Sequence, residues 1–446
     1  MTRVLIPSGA LGLGYDKSAL ERGIAAKPDI ICIDGGSTDS GPSYLGRGVS
    51  KYATQSTRGE WKGLIEARIA AGCPLVIGTA GTCGTDSTVD WLYDITIDIL
   101  NELGATAKIA RLYSEQDPAK IAQTAITPLS AAPEVDGATI ASCTHIVALA
   151  GAEHIQEALN TGADIIIAGR TTDTAIMAAL PLANGDHAGA AWHGAKVGEC
   201  GAICTTNSAT GVIQIDFDAT GFTLTPLADN TRATPYTVSA HMLYENSDPF
   251  ILYEPGGHLD VTNAKYTAVS DSIVRVEGSV WVPSDTYTVK LEGARVTGYQ
   301  TIAMALLRDA HYVANAQDWC DDVLKHHRAK VEDRMRIDAE TWSAELRIIG
   351  QNATLGALEN HMPDTAELGV LAILTATDQD TATTLAKLMN PYLLHHALTD
   401  NEAMPTFAFP FSPAEIERGA AYEFVLHHVM ALAQPMDAFR IEVTDA

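Results

Sequence analysis

A chain of 446 residues is longer than one ordinary domain, and 46% hydrophobic content with 36 glycines excludes a disordered protein. Its formal charge of −26, from 55 acidic and 29 basic side chains, repels phosphate backbones and anionic membrane surfaces, so neither nucleic acid nor membrane is an expected partner. No apolar run approaches the roughly 20 residues of a membrane span. The seven cysteines suggest no disulfide framework.

The first two hundred residues repeat short apolar runs that end in Gly, Thr or Asp. "RVLIPSG", "DIICIDGG", "PLVIGTAG", "AKIARLYSE", "ATIASCTH" and "ADIIIAGR" are the strand candidates, most of them followed by a helix. Residues 85–104 place Val89, Leu92, Ile95, Leu100 and Leu103 near one helical face, with Thr85 or Asp86 as cap and Gly104 as stop. Alternating strands and helices of this kind predict an α/β fold with a mostly parallel main sheet and flanking helices. Ligands of such sheets gather beyond the carboxyl ends of the strands. A β-rich section is expected over 209–298, then a mainly helical stretch from about Thr301 to Arg334. The main domain is thus expected to span 1–335, followed by a smaller C-terminal α+β domain over 336–446. The opening "MTRVLIPSGALGLG" does not read as a signal peptide, so a cytoplasmic location is expected.

The polar residues worth testing cluster at those predicted strand ends. "SGALGLG" offers Ser8 and a glycine turn without the GxGxxG or Walker pattern, so no nucleotide cofactor is expected. "IDGGSTDSG" presents Asp34, Gly36, Ser37, Thr38 and Asp39, able to bind a polar substrate or simply to close a turn. In "GTAGTCGTD", Cys83 reads either as a thiol nucleophile near a helix start or as a small buried residue, with Thr82 and Thr85 shaping the pocket. "SCTH" adds Cys143 and His145, a candidate base; the two cysteines together raise a two-base racemase.

In "AGRTTDTA", Arg170 is placed to clamp a carboxylate beside Thr172 and Asp173, or else to pair with Asp173 or another acidic side chain. Lys196 in "WHGAKVGECGA" reads as a base or a stabiliser of developing charge, or as an ordinary partner of Glu199. "YENSDPFILYEPGGHLD" supplies Asn246, Glu254, Gly257 and His258 around a turn that could deliver Glu254 or His258 to substrate. No cofactor is expected. A divalent metal at Glu254 and His258 is the minor reading, since their spacing fits no ligand motif.

Taken in order, "IDGGSTDSGPSYLGRG", "GTAGTCGTD", "IASCTH", "GADIIIAGRTTDTA", "WHGAKVGECGA" and "LYEPGGHLDV" resemble the acyclic terpene utilisation A family over at least residues 4–310. "AMPTFAFPFSPAEI" and "YEFVLHHVM" extend the resemblance to nearly the whole chain. It implies an α/β main domain and a part in bacterial small-molecule or acyl-compound catabolism.

The expected activity is that of a lyase or hydratase on a small carboxylate or related acyl compound. Arg170 would anchor the carboxylate, and a base and an acid would come from His145, Asp173, Lys196 and Glu254. An amide, lactone or ester hydrolase using Cys83, a cysteine-dependent racemase and a non-enzymatic ligand-binding component are the rivals. A small-molecule substrate and assembly into a homo-oligomer are the expected partners.

Overall fold

A computed structural model describes residues 1–129, 132–209, 211–361 and 364–446. The chain forms two compact units, one of residues 1–295 with 424–446 and one of residues 296–423. The division therefore differs from a single boundary near 335: the chain leaves the first unit inside a strand and returns to it for its last residues.

The first unit is built on a ten-stranded sheet. Its centre is parallel, in the order Thr2–Ile6, Ile30–Asp34, Leu75–Gly78, Ile165–Ala168, Lys108–Tyr113. Ile213–Phe217, Gly221–Pro226, Val274–Glu277 and Lys265–Ala268 extend it antiparallel beyond Thr2–Ile6, and Arg440–Asp445 closes the other edge, also antiparallel. The expected mostly parallel sheet is therefore a mixed one. Ile30–Asp34, Leu75–Gly78 and Ile165–Ala168, at the middle of the parallel part, are buried along their whole length and have the near-continuous apolar character that burial on both faces imposes.

Alternate residues of those strands feed two cores, as the two-residue period requires. Leu5, Ile31, Ile33, Leu75, Ile77 and Ile167 pack with Trp61, Leu64, Leu92 and Ile99 from helices Thr54–Ala71 and Asp86–Leu103. Val4, Ile6, Ile30, Cys32, Val76 and Ile166 pack on the opposite face with Ile155, Ile176, Ala178 and Trp192. Helix Asp86–Leu103 buries Val89, Leu92, Ile95 and Leu100 and ends at left-handed Gly104, matching the expected face and stop.

Two expected elements differ. "ATIASCTH" is no strand: Asp136 caps a short helix, Gly137–Ala141, and His145 opens a strand, His145–Ala148. That strand pairs outside the main sheet, with Leu291–Ala294 and with Glu115–Gln116. Residues 301–307 belong to the strand Tyr287–Leu307, and helix begins only at Ala310.

In the second unit, Trp342–Ile349, Leu368–Ala376 and the end of Tyr287–Leu307 form an antiparallel sheet. Helices Ala316–Arg334 and Gln379–His395 cover it through Trp319, Val323, Leu385 and Met389. This is an α+β layer pair. Among the described residues no helix is long and apolar enough to cross a membrane.

Candidate functional site

The loops that leave the central strands are locked together through their backbones. Gly35 N–H donates to the Gly78 carbonyl at 2.7 Å, Thr79 N–H to Gly169 at 2.9 Å, and Arg170 N–H to Gly84 at 3.1 Å. At Gly84, φ is +65° and a Cβ would lie 2.2 Å from the Arg170 nitrogen, so no side chain fits there. Thr79 and Thr82 hold φ of 45° and 72°, left-handed values that a β-branched residue adopts only under strain. Strain of this kind persists where the surroundings over-determine the loop, and here they do. Thr79 Oγ1 accepts from Arg170 Nη1 at 3.2 Å and from Thr171 N–H at 3.3 Å.

Above these loops lies a buried network of charges. Arg170 Nε and Nη2 grip the two oxygens of Glu292 at 2.9 and 3.3 Å, and Nη1 stands 3.5 Å from Asp173. Lys290 and Thr38 also donate to Glu292, each at 2.8 Å. Burial disfavours the Glu292 carboxylate, but Arg170 and Lys290 outweigh it and hold its pKa far below the usual range. Burial likewise opposes the Arg170 charge, and Glu292 and Asp173 overcome it.

Asp34 has one oxygen on Gly36 N–H at 2.9 Å and the other buried without a partner. Burial, then the neighbouring Asp173, pushes its pKa well up. Asp173 is raised by burial against the pull of Arg170 and Lys196. Glu254 accepts from Thr174 Oγ1, while its Oε2 is buried with no hydrogen bond; burial raises this carboxyl to about 7. Lys196 pairs with Glu199 and donates to the Tyr244 carbonyl at 3.0 Å. A cleft of about 330 Å³, lined in part by Thr38, Asp39, Lys290, Glu292 and His427, opens beside Glu292.

The structure thus brings together Asp34, Thr38, Asp39, Arg170, Asp173, Lys196 and Glu254 around Glu292, each sensing the charge of another member or, as Thr38 is, bonded to Glu292. Gly36 and Ser37 share the Asp34 loop, and Thr172 sits beside Asp173 with its hydroxyl 3.2 Å from Thr174 Oγ1. Ser8 is buried at the end of the first strand. Thr82 lines the loop under Gly36.

Others fall elsewhere. Cys83 is 1% exposed, packed with Leu45 and Val147, its sulfur 3.6 Å from Thr85 Oγ1 and 3.8 Å from Thr88 Oγ1. It fills a tight place, as Thr85 does, and is not an open nucleophile. Cys143 belongs to a different apolar cluster, with Ile140, Val289 and Leu426, and burial pushes its thiol up to about 11. The two thiols are thus buried in separate apolar clusters. His145 Nδ1 meets Glu115 Oε1 at 2.5 Å, Glu115 caps Asp86 N–H at 2.8 Å, and no hydrogen bond joins His145 to the buried network.

Arg170 takes the structural alternative of an acidic partner: its fork is closed on Glu292, so it offers no free clamp. Asn246 donates to the Ile251 carbonyl at 3.3 Å, and Gly257 pairs with Glu254 and Pro283 within a small sheet. In that hairpin His258 faces Tyr253, one residue out of phase with Glu254, so the two point to opposite faces and cannot share an ion.

Glu292, Lys290 and Thr79 were not among the expected residues. The signal for Glu292 was a glutamate inside "TYTVKLEG" flanked by buried Val289 and Leu291, a position that demands a cation from elsewhere in the chain.

Neither the curated proteins nor the solved structures contain a match to this chain. The family model described as acyclic terpene utilisation family protein AtuA matches residues 67–409, well over half of the sequence. The chain belongs to the AtuA family.

Proposed function

We propose that the strand-end network is an active site for proton transfer and that the protein is a lyase or hydratase acting on a small acyl compound. One observation carries the reading: Glu254, held near neutrality at about 7 with one oxygen free of hydrogen bonds, in the same network as Asp173 and Lys196. A carboxyl of this kind populates both protonation states near pH 7, which general acid–base catalysis requires.

Elimination next to a carbonyl breaks a C–H and a C–O bond and forms a C=C bond. A base takes the proton, a cation steadies the enolate-like oxygen, and an acid protonates the departing hydroxide as water. Asp173 and Glu254 supply the base and the acid. Lys196 uses two of its three donors on Glu199 and Tyr244, and the third is available to a substrate oxygen. Arg170, closed on Glu292, is a positioning residue that fixes the Thr79 loop and Asp173. With its guanidinium engaged, the site favours an acyl carbonyl over a free carboxylate.

Small thioesters, lactones, amides and carboxylates, including isoprenoid acyl compounds for the family's sake, are to be screened in deuterated water with mass-spectrometric readout. Carbon-bound deuterium with gain or loss of water is expected. Glu254→Gln should lower that turnover by about 10²–10⁴-fold. Hydrolysis without exchange at carbon, or full activity in both Glu254→Gln and Asp173→Asn, overturns the reading.

A further inference from the structure

Just beyond helix Ala188–Gly198 the fold gathers three ligand types that proton transfer does not use together. Glu199 offers a carboxylate oxygen, Cys200 a thiol sulfur and His241 a ring nitrogen, all within 4.8 Å of one another. His241 is 4% exposed and opens the turn His241–Leu243, and its Nε2 is buried with no hydrogen-bond partner among the described residues. Its ring stacks on Tyr244 at 5.4 Å, and the Tyr244 carbonyl accepts from Lys196, which places the imidazole beside the Lys196–Glu199 pair. A buried imidazole nitrogen left unpaired calls for an explanation. A neutral imidazole nitrogen is the form that ligates metals.

We propose that Glu199, Cys200 and His241 form a three-ligand site for a divalent metal ion of borderline softness, zinc in the first instance, with a fourth position open. Sulfur, nitrogen and oxygen donors in one set suit zinc and its neighbours, whereas magnesium and calcium take oxygen alone. One oxygen of Glu199 is held by Lys196, and the other is left for the ion. Binding breaks the Cys200 S–H bond, forms an S–metal bond and releases that proton, with any proton on the Glu199 carboxyl, to solvent, so carboxylate and thiolate together balance the 2+ charge.

The backbone under Cys200 is fixed. Gly201 has φ +60°, and a Cβ there would lie 2.7 Å from the Gly9 nitrogen, so this segment is packed onto the loop after the first strand. Tetrahedral bonds of about 2.0–2.3 Å bring ligand atoms to roughly 3.3–3.7 Å apart, so the side chains close by at most about 1.5 Å on binding. The site goes beyond the proton-transfer reading, and its test does not depend on turnover.

Full-length protein, reduced and stripped of metal, is to be titrated with cobalt(II) and followed by absorbance, with elemental analysis of the zinc form alongside. One equivalent and a near-ultraviolet thiolate-to-cobalt band are expected. The band should vanish in Cys200→Ala and vanish or shift in His241→Ala, and persist in Cys83→Ala. Melting curves check that each variant folds, and Cys200→Ser and His241→Gln replace any alanine variant that does not. No band in the wild type, or an unchanged band in a folded Cys200 variant, overturns the site. So does binding without a sulfur band that His326→Ala abolishes, because Asp322, His326 and His396 form a second group with oxygen and nitrogen donors only.

Discussion

Glu292 is buried and Glu254 half-buried in the same unit, and their surroundings drive them in opposite directions. Glu292 has a forked guanidinium and an ammonium against it and stays ionised; Glu254 has hydroxyls and one bare oxygen and holds its proton up to about neutral pH. The consequence for stability follows by linkage. Burial raises Glu254 from an ordinary value near 4.5 to about 7; the Thr172 and Thr174 hydroxyls oppose the shift, Asp173 adds to it, Lys196 opposes it more weakly, and the Tyr287 hydroxyl senses it as a near neighbour. The folded protein therefore binds a proton that the unfolded chain has released. Its contribution is fully present below about pH 4.5 and is lost as the pH rises through about 7. A shift of this size corresponds to about 3 kcal/mol. Asp34, Asp173 and Glu199 are raised by burial too and act with the same sign. Urea denaturation from pH 5 to 8 should show wild-type stability falling, and Glu254→Gln should fall by about 2.5 kcal/mol less. Parallel curves for the two proteins would mean that Glu254 is ionised throughout.

At the scale of elements, local pattern and long-range pairing were unequally legible. Ile30–Asp34 and Ile165–Ala168 are continuous apolar runs closed by polar residues, and their ends carry Asp34, Arg170 and Asp173 where a sequence reader looks for them. The antiparallel flanks were not legible, because Thr444 opposite Ile109 is a pairing between distant parts of the chain. Glu292 escaped for the same reason: its partner Arg170 lies 122 residues away. His145 was misplaced by a five-residue helix, too short to show a period, whose apolar "ATIA" resembles a strand. In "GTAGTCGTD" the sequence showed three glycines but not that two threonines would take the strained positions, nor that Cys83 would fill the space beneath. Gly84→Ala tests how firmly this loop is held. A methyl group there meets the Arg170 backbone in a left-handed residue, and the variant should lose at least about 2 kcal/mol. Gly104→Ala, at the left-handed helix stop with φ +61° and nothing within 4 Å of the new methyl, should cost about 1 kcal/mol from strain alone. Chemical denaturation of both variants gives the comparison, and equal losses would show that the Gly84–Arg170 approach is slack.

The whole molecule carries −26, and the buried network repeats that imbalance locally. Asp34, Asp173, Glu199, Glu254 and Glu292 outnumber Arg170, Lys196 and Lys290, so the fold stays intact by protonating carboxyls or by admitting a cation. Both outcomes bear on which substrate enters. The diffuse field opposes an anion from a distance, and Arg170, closed on Glu292, does not reverse it at close range. A neutral acyl compound meets no such barrier. The field reaches about 30 Å at 0.01 M salt and about 8 Å at 0.15 M, so ionic strength separates the two cases. For an anionic member of the substrate panel, kcat/KM should rise about two- to fivefold between those salt concentrations as repulsion is screened, while a neutral analogue stays constant. Steady-state kinetics with the matched pair decide it. A fall in kcat/KM for the anion would mean that a local positive patch, with Lys290 at the cleft as its leading member, outweighs the field of the whole protein, and the preference for a neutral acyl group would have to be abandoned.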